Sequence, residues 1–514
     1  MSRRSLRFFT LLAISSLFLA HAANAQRLGI FEGQSDVGAV TPPGAARFDP
    51  ATDTYTLNSA GANLWGPADA FHFLWKKFSG DVTLTADIDF PDSVPNTPGE
   101  HNPHRKAILI VRQTLDAGSA YADAALHGSG LTALQFRRAE SAITESVELN
   151  IAAPHRLRLE KRGDTFTMYL ASAPGAPLNP SGASIQLHLE EPFYVGLGLC
   201  SHDKNKVERA VFSHVTLEKP APLPSASNQS LALYSTLQTI GLELDAHRAV
   251  IAYTTQGRFE APNWTHDGKT LIFDQAGKIM TVPADGSTPP QPLDIGDATN
   301  CNGSHGLSPD GKSLAISCST PGKPESRVYI VPLTGGMPRV VTEHPNSYWH
   351  SWSPDGRTII ITRPDHGSGN IFAIPVSGGE EHALTIGTVI SDDPDCSPDG
   401  QWIYFNSDRG GTMQIWRMHP DGSSPEQITS DDYVNWTPHV SPDGKSMVFI
   451  SYEKGTTGHP ANKPVMLRVM SLDDRKIRVL FNLIGGSGTM NVPSWAPDSK
   501  RLAFVSYQML PAPQ

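Results

Sequence analysis

Hydrophobic and polar residues recur in one arrangement between Asn263 and Lys500. An apolar approach leads into a polar turn related to Ser-Pro-Asp-Gly, and a short hydrophobic strand such as residues 358–362 follows. The turn aspartates mark the six copies and are Asp267, Asp310, Asp355, Asp399, Asp443 and Asp498. Their spacing is 43 to 45 residues, except for a last interval of 55. A repeat of this length with a turn in each unit is typical of β-propeller blades.

The two ends of the repeat region complement each other. The last copy has only two strands before Gln514, whereas residues 233–254 supply two strands ahead of the first copy. We expect the early strands to complete the last blade, because a closed ring removes the unpaired sheet edge. The sequence therefore predicts a six-bladed propeller over residues 229–510.

The N-terminal part of the chain lacks this repeat. Residues 27–218 contain short alternating strands, such as 81–90, 106–112 and 165–170, separated by turns rich in Gly, Pro, Asp and Asn. Many strands at this spacing predict a β-sandwich of jelly-roll type. The Pro- and Ser-rich residues 219–228 are interpreted as a linker. The predicted fold class is all-β, with an N-terminal jelly-roll sandwich followed by the propeller.

Residues 1–25 have the pattern of a secretory signal. Three arginines (Arg3, Arg4 and Arg7) precede an apolar run over residues 8–19, and Ala23-Asn24-Ala25 fits a cleavage site. The run is shorter than the roughly 20 residues that span a bilayer. We expect a periplasmic or secreted protein with no transmembrane segment after cleavage.

Charge and cysteine content narrow the possible partners. The formal net charge is −10, and removing the three signal arginines makes it −13, which argues against nucleic-acid binding. Cys301 and Cys318 flank one turn and are a candidate disulfide pair in an oxidising compartment. Cys200 and Cys396 have no C-x-x-C spacing, so buried thiols are favoured over metal ligands.

The repeated turn motif resembles that of the TolB-like family of periplasmic six-bladed propellers. The resemblance implies a role in the cell envelope, including protein–protein scaffolding as in the Tol system. The same motif occurs in propellers of peptidases and of metal-dependent oligogalacturonate lyases. Residues 64–66, 71–76 and 105–123 resemble the concanavalin-like lectin and glucanase superfamily. The carboxylate triple of its glucanases is missing at residues 86–90, which implies a binding or structural module.

Equivalent positions before the turn carry residues that could bind a metal. Three histidines and one aspartate come from four consecutive copies: His305, His350, Asp395 and His439. Imidazole and carboxylate ligands suit Zn²⁺, Mn²⁺ or Fe²⁺. The long last interval reflects an extended loop, residues 452–463, which would bring His459 and Lys463 to the same face as acid or base.

A second interpretation makes this face a metal-free site for sugars or peptides. Stacking platforms and hydrogen-bonding groups would then be Trp349, Asp392, Asp393, Asn435, Trp436 and Asn462. In a third interpretation these side chains only cap strands and pack between blades. The leading functional hypothesis is recognition of a carbohydrate or envelope polymer, with a lectin-like accessory domain. The alternatives are a metal-dependent lyase or hydrolase on a sugar-derived substrate, and an envelope protein–protein scaffold.

Overall fold

The computed structural model describes residues 28–91, 101–222, 231–242, 248–365, 367–492 and 494–511. These residues form two compact units that meet in the chain after Pro222. All regular structure in the described ranges is β-strand, and no α-helix occurs there. The same ranges contain no helix long and apolar enough to cross a bilayer. The predicted signal and positions 223–228 of the predicted linker lie outside the described residues.

The first unit is built from strands β1 to β14. Their bounds are β1 Gly33–Val37, β2 Ala45–Asp49, β3 Thr54–Ser59, β4 Phe71–Phe78, β5 Val82–Asp89, β6 Lys106–Arg112, β7 Tyr121–His127, β8 Thr132–Arg137, β9 Glu145–Glu148, β10 Arg156–Arg162, β11 Thr165–Ala171, β12 Asn179–Gln186, β13 Phe193–Cys200 and β14 Glu208–Glu218. One antiparallel sheet has the order β1-β4-β13-β6-β7-β8-β9, and the other has the order β12-β11-β10-β5-β14-β3-β2.

The two sheets of the first unit face each other. Strand β10 of the second sheet contacts both β6 and β7 of the first. Every residue of β6 and β7 is buried. The unit is therefore a two-layered antiparallel β structure. Its assignment to the jelly-roll type remains a prediction.

The second unit is a β-propeller that contains strands β15 to β37. Their bounds are β15 Leu231–Gly241, β16 Arg248–Gln256, β17 Phe259–Trp264, β18 Thr270–Gln275, β19 Lys278–Pro283, β20 Gln291–Pro292, β21 His305–Leu307, β22 Ser313–Thr320, β23 Lys323–Pro332, β24 Arg339–Val340, β25 Tyr348–Trp352, β26 Thr358–Asp365, β27 Ser368–Pro375, β28 His382–Ala383, β29 Ser391–Cys396, β30 Ile403–Ser407, β31 Gln414–Met418, β32 Glu426–Gln427, β33 Val434–Val440, β34 Ser446–Tyr452, β35 Lys463–Ser471, β36 Ile477–Gly485 and β37 Arg501–Pro511.

Five consecutive four-stranded sheets form the first to fifth blades. They are β17–β20, β21–β24, β25–β28, β29–β32 and β33–β36, each in sequential order. The first strands of neighbouring blades contact one another, from β17 to β21, β25, β29 and β33. The first strand of each blade therefore lines the central channel.

The remaining strands of the second unit come from both ends of the repeat region. Strand β15 pairs antiparallel with β37 along its whole length, from Leu231↔Pro511 to Gly241↔Arg501, and with β16 on its other side. Trp495 forms an isolated bridge with Leu502 next to them. We call β15, β16 and β37 the closure strands, because they join the beginning of the unit to its end.

The Ser-Pro-Asp-Gly turns are held by a repeated set of hydrogen bonds. In the third blade the Ser353 hydroxyl donates to Asp355 Oδ1 at 2.6 Å, and the same oxygen accepts from the Arg357 amide at 3.0 Å. The second, fourth and fifth blades repeat both bonds, and Thr265 replaces serine in the first. The recurrence of aspartate in these turns is therefore explained by its hydrogen bonds to nearby groups of the same turn.

Three tryptophans directly before these turns join neighbouring parts of the propeller. The indole N–H of Trp264 donates to the carbonyl of Ser494 at 3.0 Å, and that of Trp352 donates to Gly306 at 3.0 Å. Trp495 donates to the carbonyl of His439 at 2.8 Å. All three rings are buried, so each combines apolar burial with a satisfied N–H.

A disulfide bond links Cys301 to Cys318 in the second blade. It connects the segment that enters β21 with strand β22, and the two cysteines are 17 positions apart. Cys200 and Cys396 are free thiols, with Cys200 fully buried. The expected pairing is therefore present.

We expect the Cys301→Ser/Cys318→Ser double variant to be about 2–4 kcal/mol less stable than the wild type, because the open chain has more conformational freedom when unfolded. Urea unfolding of the two proteins, with and without reductant, measures this difference. Reductant should destabilise the wild type and leave the double variant unchanged. Equal stability of the two oxidised proteins would contradict the expectation.

Candidate functional site

Each first strand of the propeller runs from a loop end to a turn end of the channel. We call the end where loops lead into these strands the loop mouth, and the end that carries the Ser-Pro-Asp-Gly turns the turn mouth. Pairing of Val434 with Tyr452 places the extended loop of residues 453–462 at the loop mouth of the fifth blade. His459 and Asn462 lie in this extended loop.

Register shifts in the first strands decide which side chains face the loop mouth. The pairing of β25 shifts between Trp349 and Ser351, and that of β29 shifts between Asp392 and Asp395. Strands β17 and β33 shift at corresponding places. Asp393 lies inside such an irregularity with a positive φ of 48° and is followed by proline. A β-bulge redirects the side chains around it.

These irregularities bring together His350, Asp392 and Asp393. The Nε2 atom of His350 lies 3.6 Å from Asp392 Oδ1, and its Nδ1 atom lies 3.5 Å from Asp393 Oδ1. Suitable ligand atoms of the three residues all lie within 4.8 Å of one another. Within the described residues, these three form a group of His, Cys, Asp or Glu side chains that lie close enough together to share a metal ion. We call these three residues the mouth cluster.

Neighbouring side chains hold the mouth cluster in place. Thr362 Oγ1 lies 2.9 Å from His350 Nε2, and Asn406 donates to Asp393 Oδ2 at 2.7 Å. The Asp393 amide donates to Asp392 Oδ1 at 2.9 Å. The sequence interpretation did not include Thr362 or Asn406, which lie on the second strands of their blades. Only the strand register, in which Asn406 pairs with Asp392, reveals their positions.

Burial sets the charge state of the mouth cluster. Burial and the nearby charge of Asp392 together raise the pKa of Asp393 to about 8, against the hydrogen bond from Asn406. Burial also lowers the pKa of His350 to about 4, although Asp392 opposes this effect. Near pH 7, Asp393 is therefore mainly protonated and His350 is neutral.

The four residues grouped as metal ligands from the sequence do not form one set. His305 is fully buried with the backbone of Ile272 as its polar neighbour, and burial lowers its pKa to about 4. His439 Nε2 lies 3.3 Å from the carbonyl of Met490. Of the four, only His350 belongs to the mouth cluster. Strand β21 shows no register shift at His305, whereas β25 shifts at His350.

Asp395 connects three blades through hydrogen bonds. Its Oδ1 accepts from the Ser351 hydroxyl at 3.2 Å, and its Oδ2 accepts from the Val440 amide at 2.9 Å. His439 Nδ1 is 3.9 Å from the same Oδ2 atom. Both oxygens of Asp395 therefore serve packing between the third, fourth and fifth blades.

The residues proposed as a polymer-binding surface divide into buried and exposed groups. Trp436 is only 3% exposed, and its ring lies 4.5 Å from that of His459, at 54°. Asn435 is fully buried, and its side-chain amide donates hydrogen bonds to Gln414 and Asp431. Asn462 is exposed on the rim of the loop mouth, and Asp392 is partly exposed. His459 and Lys463, which the sequence predicts as acid or base, are exposed on the same rim.

Trp349 lies across the channel rather than on its surface. It is 1% exposed and belongs to a hydrophobic cluster that also contains Ala261 of the first blade and Val492, which follows the fifth. Its ring lies so close to Gly306 that a Cβ atom there would be 1.9 Å from Trp349 Cη2. Trp349 is therefore a plug, and the stacking role expected from the sequence does not fit its burial.

The turn mouth opens into a separate cavity of about 440 Å³. Its walls include Trp264, Trp352 and Trp495 together with turn prolines such as Pro354 and Pro442, and Trp349 also lines it. The indole N–H groups of Trp264, Trp352 and Trp495 donate to backbone carbonyls, so these three tryptophans present mainly apolar ring surface to the cavity.

The first blade carries a second pair of carboxyl groups near the loop mouth. Glu260 and Asp274 are directly paired across β17 and β18. Arg258 Nε donates to Glu260 at 2.9 Å, while Asp274 accepts a 3.3 Å bond from the Gly277 amide. Burial and the charge of Glu260 together raise the pKa of Asp274 to about 7.

Comparison with known proteins identifies relatives of the propeller. Residues 307–511 match the family model described as TolB beta propeller domain. An uncharacterized protein of Agrobacterium fabrum is 44% identical over 258 residues, which are 50% of this chain and 87% of that protein. The solved structure of a TolB candidate from Agrobacterium tumefaciens has 41% identity and a TM-score of 0.52, and the match covers 54% of this chain and 99% of that one.

A more distant similarity extends over a smaller segment. Dipeptidyl-peptidase 5 of Trichophyton schoenleinii is 28% identical over 144 residues, which are 23% of this chain. The match spans only 20% of the peptidase, so it concerns a short part of that protein.

We expect Gly306→Ala to destabilise the propeller by about 1–3 kcal/mol, because the added methyl group forces the Trp349 ring out of its position. Thermal and urea unfolding, with tryptophan fluorescence as a probe, measure the effect. Gly369→Ala is the matched control, since its Cβ would have only a backbone oxygen at 3.7 Å. Equal stability of the two variants would contradict the plug.

We expect Asp274→Asn to be more stable than the wild type at pH 8 and nearly equal to it at pH 4. The pKa of Asp274 in the folded protein is about 7, above the ordinary value of 3.8. The wild type therefore loses stability as the pH rises from 3.8 to about 7. One pKa unit corresponds to about 1.4 kcal/mol, and we expect a gain of at least about 1 kcal/mol at pH 8.

Urea unfolding at several pH values measures this change. The exposed Asp432→Asn variant serves as the control and should show no such gain. A difference between Asp274→Asn and wild type that is the same at pH 4 and pH 8 would refute the assigned pKa shift.

Proposed function

The chain belongs to the TolB-like family of β-propeller proteins, and on that basis we propose that it recognises a carbohydrate or cell-envelope polymer at its loop mouth. The observation that carries this proposal is the mouth cluster, in which His350, Asp392 and Asp393 converge from two neighbouring blades. The side chain of Asp392 is 27% exposed, so a ligand can reach the cluster from solvent. Carboxyl groups and an imidazole are suitable hydrogen-bond partners for the hydroxyl groups of a sugar.

The surroundings of the cluster support recognition at the surface. Trp349 closes the channel behind the mouth, so a polymer would be bound by its end or by one edge rather than threaded through the ring. His459, Asn462 and Lys463 on the rim supply further polar contacts. Because Trp436 is covered by His459, stacking of a sugar on its indole would require that loop to move.

The proposal includes an exported location and accessory parts. The Cys301–Cys318 disulfide and the signal-like residues 1–25 support a periplasmic or secreted protein. We also propose that the closure strands and Trp495 make a sixth blade, and that the first unit is a lectin-like jelly-roll module. The pairing of β15 with both β16 and β37 supports the sixth blade.

A metal-assisted lyase or hydrolase acting on a sugar-derived substrate is the second candidate. The presence of an imidazole beside two carboxyl groups favours it, since these groups are potential metal ligands. His459 or Lys463 would then act as acid or base, because both are exposed on the rim of the same mouth. A Tol-type protein scaffold is a further alternative that the family membership alone supports.

The expected result of a binding test is that Asp392→Asn and His459→Ala each weaken binding about 10-fold or more. A hydrogen bond to a charged group contributes about 1.5–3 kcal/mol, and about 1.4 kcal/mol corresponds to a tenfold change. Biolayer interferometry against immobilised envelope polysaccharides and peptidoglycan fragments measures the affinities. Asp432→Asn, on the loop before β33, should bind within twofold of the wild type.

The outcomes separate the three functions. Release of new reducing or unsaturated ends from a bound polymer would favour the enzyme. Binding of envelope proteins without binding of any polymer would favour the scaffold. Binding that is equally strong in Asp392→Asn, His459→Ala and wild type would contradict the proposed location of the site.

A further inference from the structure

The possible metal-ligand atoms of the mouth cluster differ in whether a neighbouring side chain makes a hydrogen bond to them. Thr362 lies at His350 Nε2, which leaves Nδ1 facing Asp393 Oδ1 at 3.5 Å. Asn406 donates to the other oxygen of Asp393, Oδ2. A separation of 3.5 Å is too long for a good N–H···O hydrogen bond. His350 Nδ1 and Asp393 Oδ1 therefore face each other without a direct hydrogen bond of normal length.

That separation matches two ligands of one metal ion. Zn²⁺ binds histidine nitrogen at about 2.0–2.1 Å and carboxylate oxygen at about 2.0–2.2 Å, so two tetrahedral ligands lie about 3.4 Å apart. Metal-bound histidines usually have their second ring nitrogen fixed by a hydrogen-bonding group, as Thr362 fixes Nε2 here. Asn406 holds the carboxyl group of Asp393 in the same manner.

His439 provides an independent indication of a missing partner. It is almost fully buried, and its Nδ1 atom makes no hydrogen bond within the described part of the chain. His439 lies close enough to the cluster to interact electrostatically with both His350 and Asp393. A buried nitrogen with no hydrogen bond is costly, so a water molecule or another polar group is expected beside it.

We propose that the mouth cluster binds one divalent transition-metal ion, such as Zn²⁺ or Mn²⁺, through His350 Nδ1, Asp393 Oδ1 and a carboxylate oxygen of Asp392. One nitrogen and two oxygen ligands suit these ions. Two carboxyl groups beside a neutral imidazole form a site whose charge a divalent cation offsets. Three protein ligands leave a coordination position toward solvent, where Asp392 is partly exposed.

The open position gives the ion a part in ligand recognition. In this respect the inference rests on the proposed function: a hydroxyl or carboxylate oxygen of the polymer would occupy the free position. The chemical class favoured is an acidic or hydroxyl-rich polysaccharide, because hard oxygen donors complete such a coordination sphere. This set of ligands differs from the four residues that the sequence pattern grouped together.

The test is titration of the chelator-stripped, untagged full chain with ZnCl₂ or MnCl₂ alone. Isothermal titration calorimetry should show one equivalent bound by the wild type, and Mn²⁺ electron paramagnetic resonance should show an immobilised ion. Asp392→Asn should weaken binding at least about 10-fold, and Thr362→Val should weaken it about 10-fold because the imidazole is no longer oriented. Asp432→Asn should bind like the wild type.

Each outcome either supports the metal site or overturns it. No stoichiometric binding by the wild type would overturn it, as would equal losses in Asp392→Asn and Asp432→Asn. Because Asp392 is partly exposed, its Asn variant should keep the wild-type circular dichroism spectrum and melting temperature. If His350→Ala fails to fold, Asp392→Asn and Thr362→Val still decide the question.

Polymer binding measured in the same preparations separates this inference from the function on which it rests. Stoichiometric metal without any polymer binding would refute the proposed function and leave the metal site intact. Polymer binding that is unchanged after removal of bound metal would refute the role of the ion in recognition and leave the proposed function intact.

Discussion

The pairing of β15 with β37 is the constraint on which the propeller depends. These strands lie at opposite ends of the repeat region, yet they pair over eleven residue positions, from Leu231↔Pro511 to Gly241↔Arg501. Without this pairing the ring of blades would end in an unpaired strand edge, which would be free to associate with other chains. The order of the first strands around the channel, and with it the loop mouth, follows from this closure. The residues of the mouth cluster come from the third and fourth blades, so the cluster requires these two blades to be held side by side.

Local sequence patterns were sufficient to predict the repeated parts of the fold. Each Ser-Pro-Asp-Gly turn is stabilised mostly by bonds within six residues, so its sequence signal survives in every copy. The candidate site followed less directly from the sequence. The positions of His305 and His350 are equivalent in the repeat, yet one is enclosed beside Ile272 and the other faces two aspartates. The difference comes from the register shift in β25, which a pattern of residue types does not encode.

Buried carboxyl groups at the loop mouth have an electrostatic cost. Carboxyl groups at Asp274 and Asp393 are buried beside other acids, and both take up protons more readily than in water. Such sites reduce the stability of the folded state at neutral pH unless a proton or a cation offsets the charge. Asp395 shows the opposite use of a buried acid, because hydrogen bonds from two neighbouring blades satisfy both of its oxygens.

The Trp349 plug makes the two ends of the propeller sterically independent. Trp349 lines the cavity at the turn mouth, whereas the next residue, His350, belongs to the mouth cluster, so the indole separates the two regions. Simultaneous occupation is therefore possible without competition. Any influence of one occupant on the other would have to pass through the strand beneath them, where Trp349 and His350 are adjacent residues. A small rotation of this one strand segment would alter both ends at once.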